Sequence, residues 1–352
     1  MKSIESYADR VHFLIGYLHV ASIVNGNMQL VLNKYGISLS VRDGLFLIRH
    51  QDKEQKVPAE KVTSIILNKA ASITTDVMFE AIEREIEILL LSKTGQPVGR
   101  IWSNKYGSVS AIRKNQVRFA QSRAGVEWVK KMLINKLNNQ TALLLTLGRP
   151  DGTGDDAIKR DIEKIEAYKE KIEAAGAEHI DEIAGSLRGW EGNCSRIYFT
   201  CISNNLPEQY RFTERSKHPA FDMFNAMLNY AYGILYSKIE GVLIQAGIDP
   251  YLGVMHRDEY NRPVLVYDVI ENFRVWADYV VVNLFVQQVV FREFFEIDNG
   301  VFYLNEQGKR ILIQSTNDYY EEPVSINGVQ RSRNQHLLLF AQKLSTRLKS
   351  LK

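Results

Sequence analysis

Near Lys105-Tyr106-Gly107 the spacing of the apolar residues changes, and that change constrains the fold more than any other feature of the chain. Before it, apolar residues come in short, strand-like runs. After it they recur at three- and four-residue intervals, the spacing of helices with one buried face. From Met28 to about Ser103 the runs MQLVLNKYG, ISLSVRDGLFLIRH, VTSIILN, EIEILLLS and PVGRIWS read as strands, with Thr75 to Glu83 as a short helix. Arg42-Asp43-Gly44 between alternating flanks is a hairpin turn. Beyond the change, helices are expected over Ala111–Gly148, Asp156–Ala174, Ile180–Leu187, Ala220–Ala246, Asp268–Phe295 and Asn334–Lys349, with Gly148 to Gly154 as a linker. The expected fold class is α+β, a small N-terminal β-rich domain followed by a larger all-α domain. The 352 residues suffice for two cores, since single cores rarely grow past roughly 250–300 residues. The expected division is 1–27, an N-terminal extension that is helical or poorly ordered; 28–105, β-rich; and 106–352, α-helical.

Several function classes drop out. Val11 to Val24 carries no Asp, Glu, Lys or Arg, but it is shorter than the roughly 20 residues a membrane span needs. The preceding MKSIESYADR mixes acids with bases and leads to no clear small-residue cleavage site, unlike a signal peptide. A buried or interfacial helix is the expectation there, with no membrane partner. Cys194 and Cys201 are too few for a disulfide framework or a zinc cluster and read as two reduced, packed thiols of a cytoplasmic protein. Gly152 and Gly154 resemble part of a phosphate loop, but no strand precedes them and Asp155-Asp156 follow. No GxxxxGK[ST] run occurs, so the chemistry should need no ATP.

Net charge is only +3, yet the charge is unevenly distributed. Residues 101–140 hold eight Lys or Arg against one acid, and residues 323–352 hold six against none. Such blocks suit a polyphosphate backbone, because neutralised phosphates release counterions. They equally suit solvated helix faces. Arg113, Lys114, Arg118, Arg196, Arg257, Arg274, Arg331 and Arg333 are the candidate DNA-binding residues.

Three segments carry chemistry. In Leu187 to Phe199, Glu191 sits between Gly189 and Gly192 beside Trp190, where glycines permit close approach to a ligand. An exposed glutamate at a helix boundary fits the same pattern. In Gly253 to Asp268, His256 follows an apolar stretch and acids follow closely. A satisfied structural histidine is the alternative. In Leu265 to Arg274, Asp268 and Glu271 lie three apart, on one face of a helix, where their repulsion suits a divalent cation. The same pair is also the sequence of a capping box, Asp at the N-cap and Glu at N3. One histidine and three carboxylates form a sound set for Mg²⁺ or Mn²⁺, able to polarise a phosphoryl oxygen.

These segments resemble known motifs. Leu187–Phe199 looks like the Gly-x-Glu-Gly…Arg-x-Tyr-Phe motif of the CRISPR-associated "Cas one" integrases. His218 to Leu235 resembles that family's Pro-x-x-Asp…Asn-x-x-Leu helix. Gly247-Ile-Asp-Pro…Gly253-x-x-His256 is similar to its histidine motif, and Pro263 to Arg274 to its Leu-x-x-Asp-x-x-Glu-x-Phe-Arg helix. The resemblance implies a metal-dependent DNA endonuclease and integrase, hydrolase-type, that inserts short foreign DNA into a CRISPR array by transesterification. It implies Glu191, His256, Asp268 and Glu271 as catalytic residues, with Glu191, His256 and Glu271 holding Mg²⁺ or Mn²⁺. The implied partners are double-stranded DNA (captured fragment and array), a second copy joined through residues 28–105, and the small "Cas two" protein. Residues 106–352 would then be the catalytic domain. Two rival expectations remain, an integrase serving a mobile element and a catalytically silent DNA-binding scaffold. Glu271 departs from the aspartate frequent at its place, and the residues before Met28 have no counterpart in the family.

Overall fold

The computed structural model describes residues 20–24, 27–92, 97–103, 109–148, 154–256 and 262–351. The chain divides into two compact units, Met1–Lys105 and Tyr106–Lys352.

The first unit holds two sheets. One runs in the order β1 (Val20–Val24), β2 (Asn27–Leu32), β6 (Val62–Asn68), β8 (Glu87–Leu91), β9 (Pro97–Ile101). The other runs β5 (Lys53–Pro58), β4 (Leu45–His50), β3 (Ser38–Arg42), β7 (Ser72–Ile73). Helix α1 (Thr75–Glu83) buries Val77 and Ala81. β3 and β4 pair with Arg42 opposite Leu45. The turn puts Asp43 and Gly44 at φ 52° and 71°, which only Gly and short polar residues reach cheaply. Leu30, Leu39, Phe46, Ile48, Ile65 and Ile88 form the core of this unit.

One expectation is corrected here. Val20–Val24 is not helical: it pairs antiparallel with β2, Val20 opposite Leu30, so the first sheet extends back across the expected boundary at 27/28. The β-branched Val20, Ile23 and Val24 favour strand once a partner edge is present. The rest of the expected N-terminal extension, residues 1–19, lies outside the described residues.

The second unit is built on α2 (Val109–Ala120), α3 (Arg123–Leu145), α4 (Asp155–Ala174), α5 (Ala184–Asn205), α6 (Met223–Gln245), α7 (Val264–Ile270), α8 (Arg274–Val286), α9 (Glu306–Glu321) and α10 (Arg333–Lys349). Between α8 and α9 lies the hairpin β10 (Phe295–Asp298), β11 (Val301–Leu304). Between α9 and α10 lies a second, β12 (Pro323–Ile326), β13 (Val329–Ser332). Each turns on Asn-Gly, with Asn299 and Gly300 at φ 49° and 80° and Asn327 and Gly328 at 52° and 75°. That dipeptide between apolar flanks is the strongest short-range hairpin signal. The unit is helical, as expected, with these two short hairpins inserted between its last helices.

Three expected helices change. Ala111–Gly148 is two helices, broken where Ser122 caps α3 by accepting from Gly125 N–H at 3.3 Å. Ile180–Leu187 extends to Asn205 through Gly185, Gly189 and Gly192, each costing about 1 kcal/mol of helix propensity. Burial of Leu187, Cys194, Tyr198, Phe199 and Ile202 outweighs that cost. Asp268–Phe295 is α7 and α8. α7 starts at Val264 behind Pro263, and the chain at Asn272 and Phe273 is tightened by i to i−3 bonds to Val269 and Ile270 before α8 begins. Asp268 therefore lies inside a helix, and the capping-box alternative falls.

Candidate active site

α3, α5, α7 and the loop Gly253–His256 bring the site together. Lys136 of α3 is 3% exposed, with its ammonium between two carboxylates. It donates to Glu191 Oε1 of α5 and lies 2.6 Å from Glu271 Oε2, just past the end of α7. The other oxygen of Glu271 accepts from Arg274 Nε at 2.8 Å, and Arg274 Nη2 lies 2.8 Å from the same atom. Ser195, one turn beyond Glu191, donates to Glu191 Oε1 at 2.8 Å.

These contacts set the charge state. Burial alone would raise both glutamates, but the cations outweigh it. Lys136 holds Glu191 below its ordinary range, and Arg274 with Lys136 drives Glu271 well below it. Burial would likewise lower Lys136, yet Glu271 and Glu191 keep its ammonium charged. The two acids and two bases form one neutral, desolvated cluster.

Asp268 does something else. Its carboxylate, 2% exposed, accepts backbone N–H groups from Val254 (2.6 Å), Met255 (3.1 Å) and His256 (3.1 Å). It also accepts from His256 Nδ1 at 2.7 Å. The loop is drawn tightly enough that a Cβ at Gly253 would fall 2.5 Å from the His256 carbonyl oxygen. Asp268 thus folds the histidine loop and fixes the ring's tautomer: Nδ1 carries the proton, and Nε2 keeps its lone pair for a metal or a proton.

A second buried network lies behind the first. Tyr198 of α5 and Tyr232 of α6 donate to Asp278 of α8 at 3.0 and 2.6 Å. The Arg274 guanidinium stacks 4.8 Å over the Tyr232 ring, so this network braces the arginine that grips Glu271. Burial pushes the Asp278 carboxyl up to about 6, against the two tyrosine hydrogen bonds that pull it down. A carboxyl raised on folding contributes stability that is complete below its unfolded value and is lost as pH rises through about 6. Asp278→Asn should therefore gain on the wild type between about pH 4 and pH 7, by about 3 kcal/mol. Melting curves of the two proteins across that range check this. A constant difference would mean Asp278 does not titrate in the fold.

A basic segment flanks the acids. Asn225 and Asn229, one turn apart on α6, clamp it. Asn225 Oδ1 accepts from Arg215 Nη1 (2.7 Å) and Ser216 N–H (3.0 Å), and Asn229 Oδ1 accepts from Arg215 Nη2 (2.6 Å). The adjoining Lys217, exposed to solvent, is depressed by partial burial and by Arg274 and Arg215, and held up by Glu271 and Glu191.

All four residues expected from sequence are thus present in this one region of the helical unit. They do not form a ready ligand cage. Among the described residues no three Asp, Glu, His or Cys side chains close on a common metal position. Glu191 and Glu271 do converge on one cation, Lys136. In charge, donor type and tautomer the two glutamates and His256 Nε2 suit a hard divalent ion. Glu191 lies toward the inward side of α5, with Leu187, Cys194 and Tyr198, and its side chain is 25% exposed, whereas Gly189 and Gly192 lie on the solvent side, where a Cβ at either would meet nothing within 4 Å.

The candidate DNA-binding residues separate. Arg113, Lys114, Arg118, Arg196 and Arg331 are exposed. Arg274 is committed to Glu271, and Arg333 to the Tyr319 carbonyl, Glu322 and the Tyr319 ring, 3.6 Å away. Arg257 lies outside the described residues. Cys194 and Cys201 are buried thiols, pushed up to about 12 and about 11, first by burial.

The sequence does not single out Ser195, Tyr198, Tyr232, Lys217 or Asp278, and it offers Lys136 only as one of the basic block over residues 101–140 that suits phosphates, whereas the structure buries it between two carboxylates. For Lys136 a signal existed. Val129, Met132, Leu133, Leu137 and Gln140 are buried beside it on α3, so a lysine stands at an apolar-face position. Asp278 stands in the same way among Trp276, Ala277, Val280 and Val281.

Comparison with known proteins identifies the family and the fold. A family model described as CRISPR associated protein Cas1 matches residues 30–318. A CRISPR-associated endonuclease Cas1 of Archaeoglobus fulgidus is 29% identical over 327 residues, covering 90% of this chain and 94% of that one. One from Mycobacterium tuberculosis is 25% identical over 92% of this chain and 93% of its own. Among solved structures, a casposase bound to integration product superposes with a TM-score of 0.77 at 21% identity, over 92% of this chain and 91% of that one. A Thermotoga maritima Cas1 protein gives 0.73 at 18%, over 92% and 97%. At those identities the structures speak for the fold.

Proposed function

This chain belongs to the CRISPR-associated Cas1 family of endonucleases and integrases, and from that membership we propose that it is a divalent-metal-dependent DNA integrase that inserts short captured DNA into a CRISPR array. The observation that carries the reading is the convergence of Glu191 and Glu271 on one buried cation, in a region that also holds a histidine of fixed tautomer. A hydroxyl at a 3′ end of the captured DNA attacks an array phosphodiester. One P–O bond forms, one breaks, and the departing 3′ oxygen takes a proton, so no nucleotide is consumed. Glu191, Glu271 and His256 Nε2 would hold Mg²⁺ or Mn²⁺, which supplies charge stabilisation at the phosphoryl oxygens. Asp268 positions the histidine. Arg274 keeps Glu271 ionised and aimed.

Arg113, Lys114, Arg118, Arg196 and Arg331, all exposed, together with Lys217, are among the side chains available to backbone phosphates. We extend the proposal to the expected partners: double-stranded DNA, Cas2, and a second copy paired through the β-rich unit. That unit is small for independent stability and leaves Tyr35, Phe79 and Val98 largely in solvent.

The test is nicking and strand transfer on supercoiled DNA with Mn²⁺ or Mg²⁺. Excess chelator should stop both. Glu191→Gln should cut the rate about a thousandfold, the worth of several kcal/mol of lost charge stabilisation. Undiminished activity in chelator would sink the metal mechanism.

A further inference from the structure

The buried cluster is already charge-balanced. Glu191 and Glu271 contribute two negative charges, and Lys136 and Arg274 two positive ones. A divalent ion entering such a cluster would meet no net attraction and would find the Lys136 ammonium standing between the two carboxylates. Lys136 touches both acids, whereas Arg274 touches only Glu271 and from its far oxygen. Lys136 also has the freer headgroup: an ammonium on a flexible four-carbon stem is more easily swung aside than a planar fork braced over Tyr232.

We propose that Lys136 is a resident counter-ion that competes with the divalent metal for Glu191 and Glu271, so that the metal binds weakly until a DNA phosphate draws the ammonium away. This rests on the reading that those glutamates are metal ligands. A backbone phosphate arriving where the Glu191 side chain, 25% exposed, reaches solvent brings the negative charge that the cluster lacks with metal present, and it offers the displaced ammonium a new partner. Metal and DNA then bind cooperatively, each raising the affinity of the other by the same factor. Without DNA the Lys136 charge keeps Glu191 and Glu271 from repelling each other, so the acid pair stays assembled.

The experiment is Mn²⁺ binding to the full-length protein, read by the electron-spin signal of unbound Mn²⁺, with and without a short duplex lacking a cleavable junction. Wild type should bind Mn²⁺ weakly alone and about tenfold or more tightly with DNA. Lys136→Met removes the charge and keeps the stem. It should bind Mn²⁺ about tenfold more tightly than wild type in the absence of DNA, and DNA should add little further. Lys136→Arg keeps the charge in a headgroup that holds both acids in a fork, and it should bind Mn²⁺ no better than wild type; it carries the test if Lys136→Met does not fold. Binding by Lys136→Met that is equal to or weaker than wild type, or tighter binding by Lys136→Arg, would overturn the role of Lys136. Should wild-type binding be lost in Glu271→Gln while Lys136→Met matches wild type, the metal site stands and only the competition fails. No Mn²⁺ binding by any of these proteins would overturn both.

Discussion

Asp268→Ala is expected to destabilise the protein by roughly 3–5 kcal/mol and to abolish metal-dependent DNA nicking and strand transfer, although Asp268 is not one of the residues on which the cation sits. Its buried carboxylate accepts three backbone N–H groups and the His256 ring. Each donor left unsatisfied in the interior costs about 1–3 kcal/mol. Water entering the cavity left by the side chain would recover part of that, so the sum is below the simple total. Asp268→Ser should be nearly as damaging, because one short hydroxyl cannot reach four donors. Asp268→Asn should fall between, since its amide nitrogen cannot accept a hydrogen bond. Thermal and urea melts of the three variants, read beside the activity of His256→Ala, check this. A melting point for Asp268→Ser close to wild type would mean that the 254–256 loop does not depend on this carboxylate.

Glu271→Gln is expected to behave differently from a simple ligand loss. It strands Lys136 and Arg274 in the interior with one carboxylate between them, and breaking a buried ion pair from one side costs about 3–5 kcal/mol. Addition of Mn²⁺, which should raise the wild-type melting temperature by binding only the folded state, should no longer do so. The double variant Lys136→Met, Glu271→Gln removes one charge of each sign. It should recover most of the lost stability without recovering the response to Mn²⁺, a coupling that a double-mutant cycle reads directly. Recovery of neither would show that the cluster is held by packing rather than by charge. Recovery of both would remove Glu271 from the metal site.

Much of this molecule is legible in its residues. The Asp43-Gly44 hairpin follows from local chemistry, because few residues reach positive φ cheaply. Asn299-Gly300 and Asn327-Gly328 carry the same local signal, but each lies within a stretch whose helical apolar spacing masks it. α4 and α6 begin and end within a few residues of where the apolar pattern places them. Beyond Leu187, Gly189 and Gly192 argue against helix locally, and only the apolar partners that bury Leu187, Tyr198 and Ile202 reverse that preference in α5.

The sequence by itself determined the two-part architecture, the helical placement of most catalytic candidates, and the identity of Glu191, His256, Asp268 and Glu271 as the residues worth watching. Those properties depend on period, on turn chemistry and on short motifs, all of which act over a few neighbouring positions. Only the tertiary structure decided what each acid does. Lys136 meets Glu191 across 55 residues of chain, and Tyr198 meets Asp278 across 80. No local pattern ranks such pairings, because an ion pair or a shared proton depends on distance and on desolvation, and both are set by how helices pack. Asp268 and Glu271, three residues apart and alike in charge, therefore come to opposite uses. One is enclosed by backbone donors and holds a loop, and the other faces two cations across the interior.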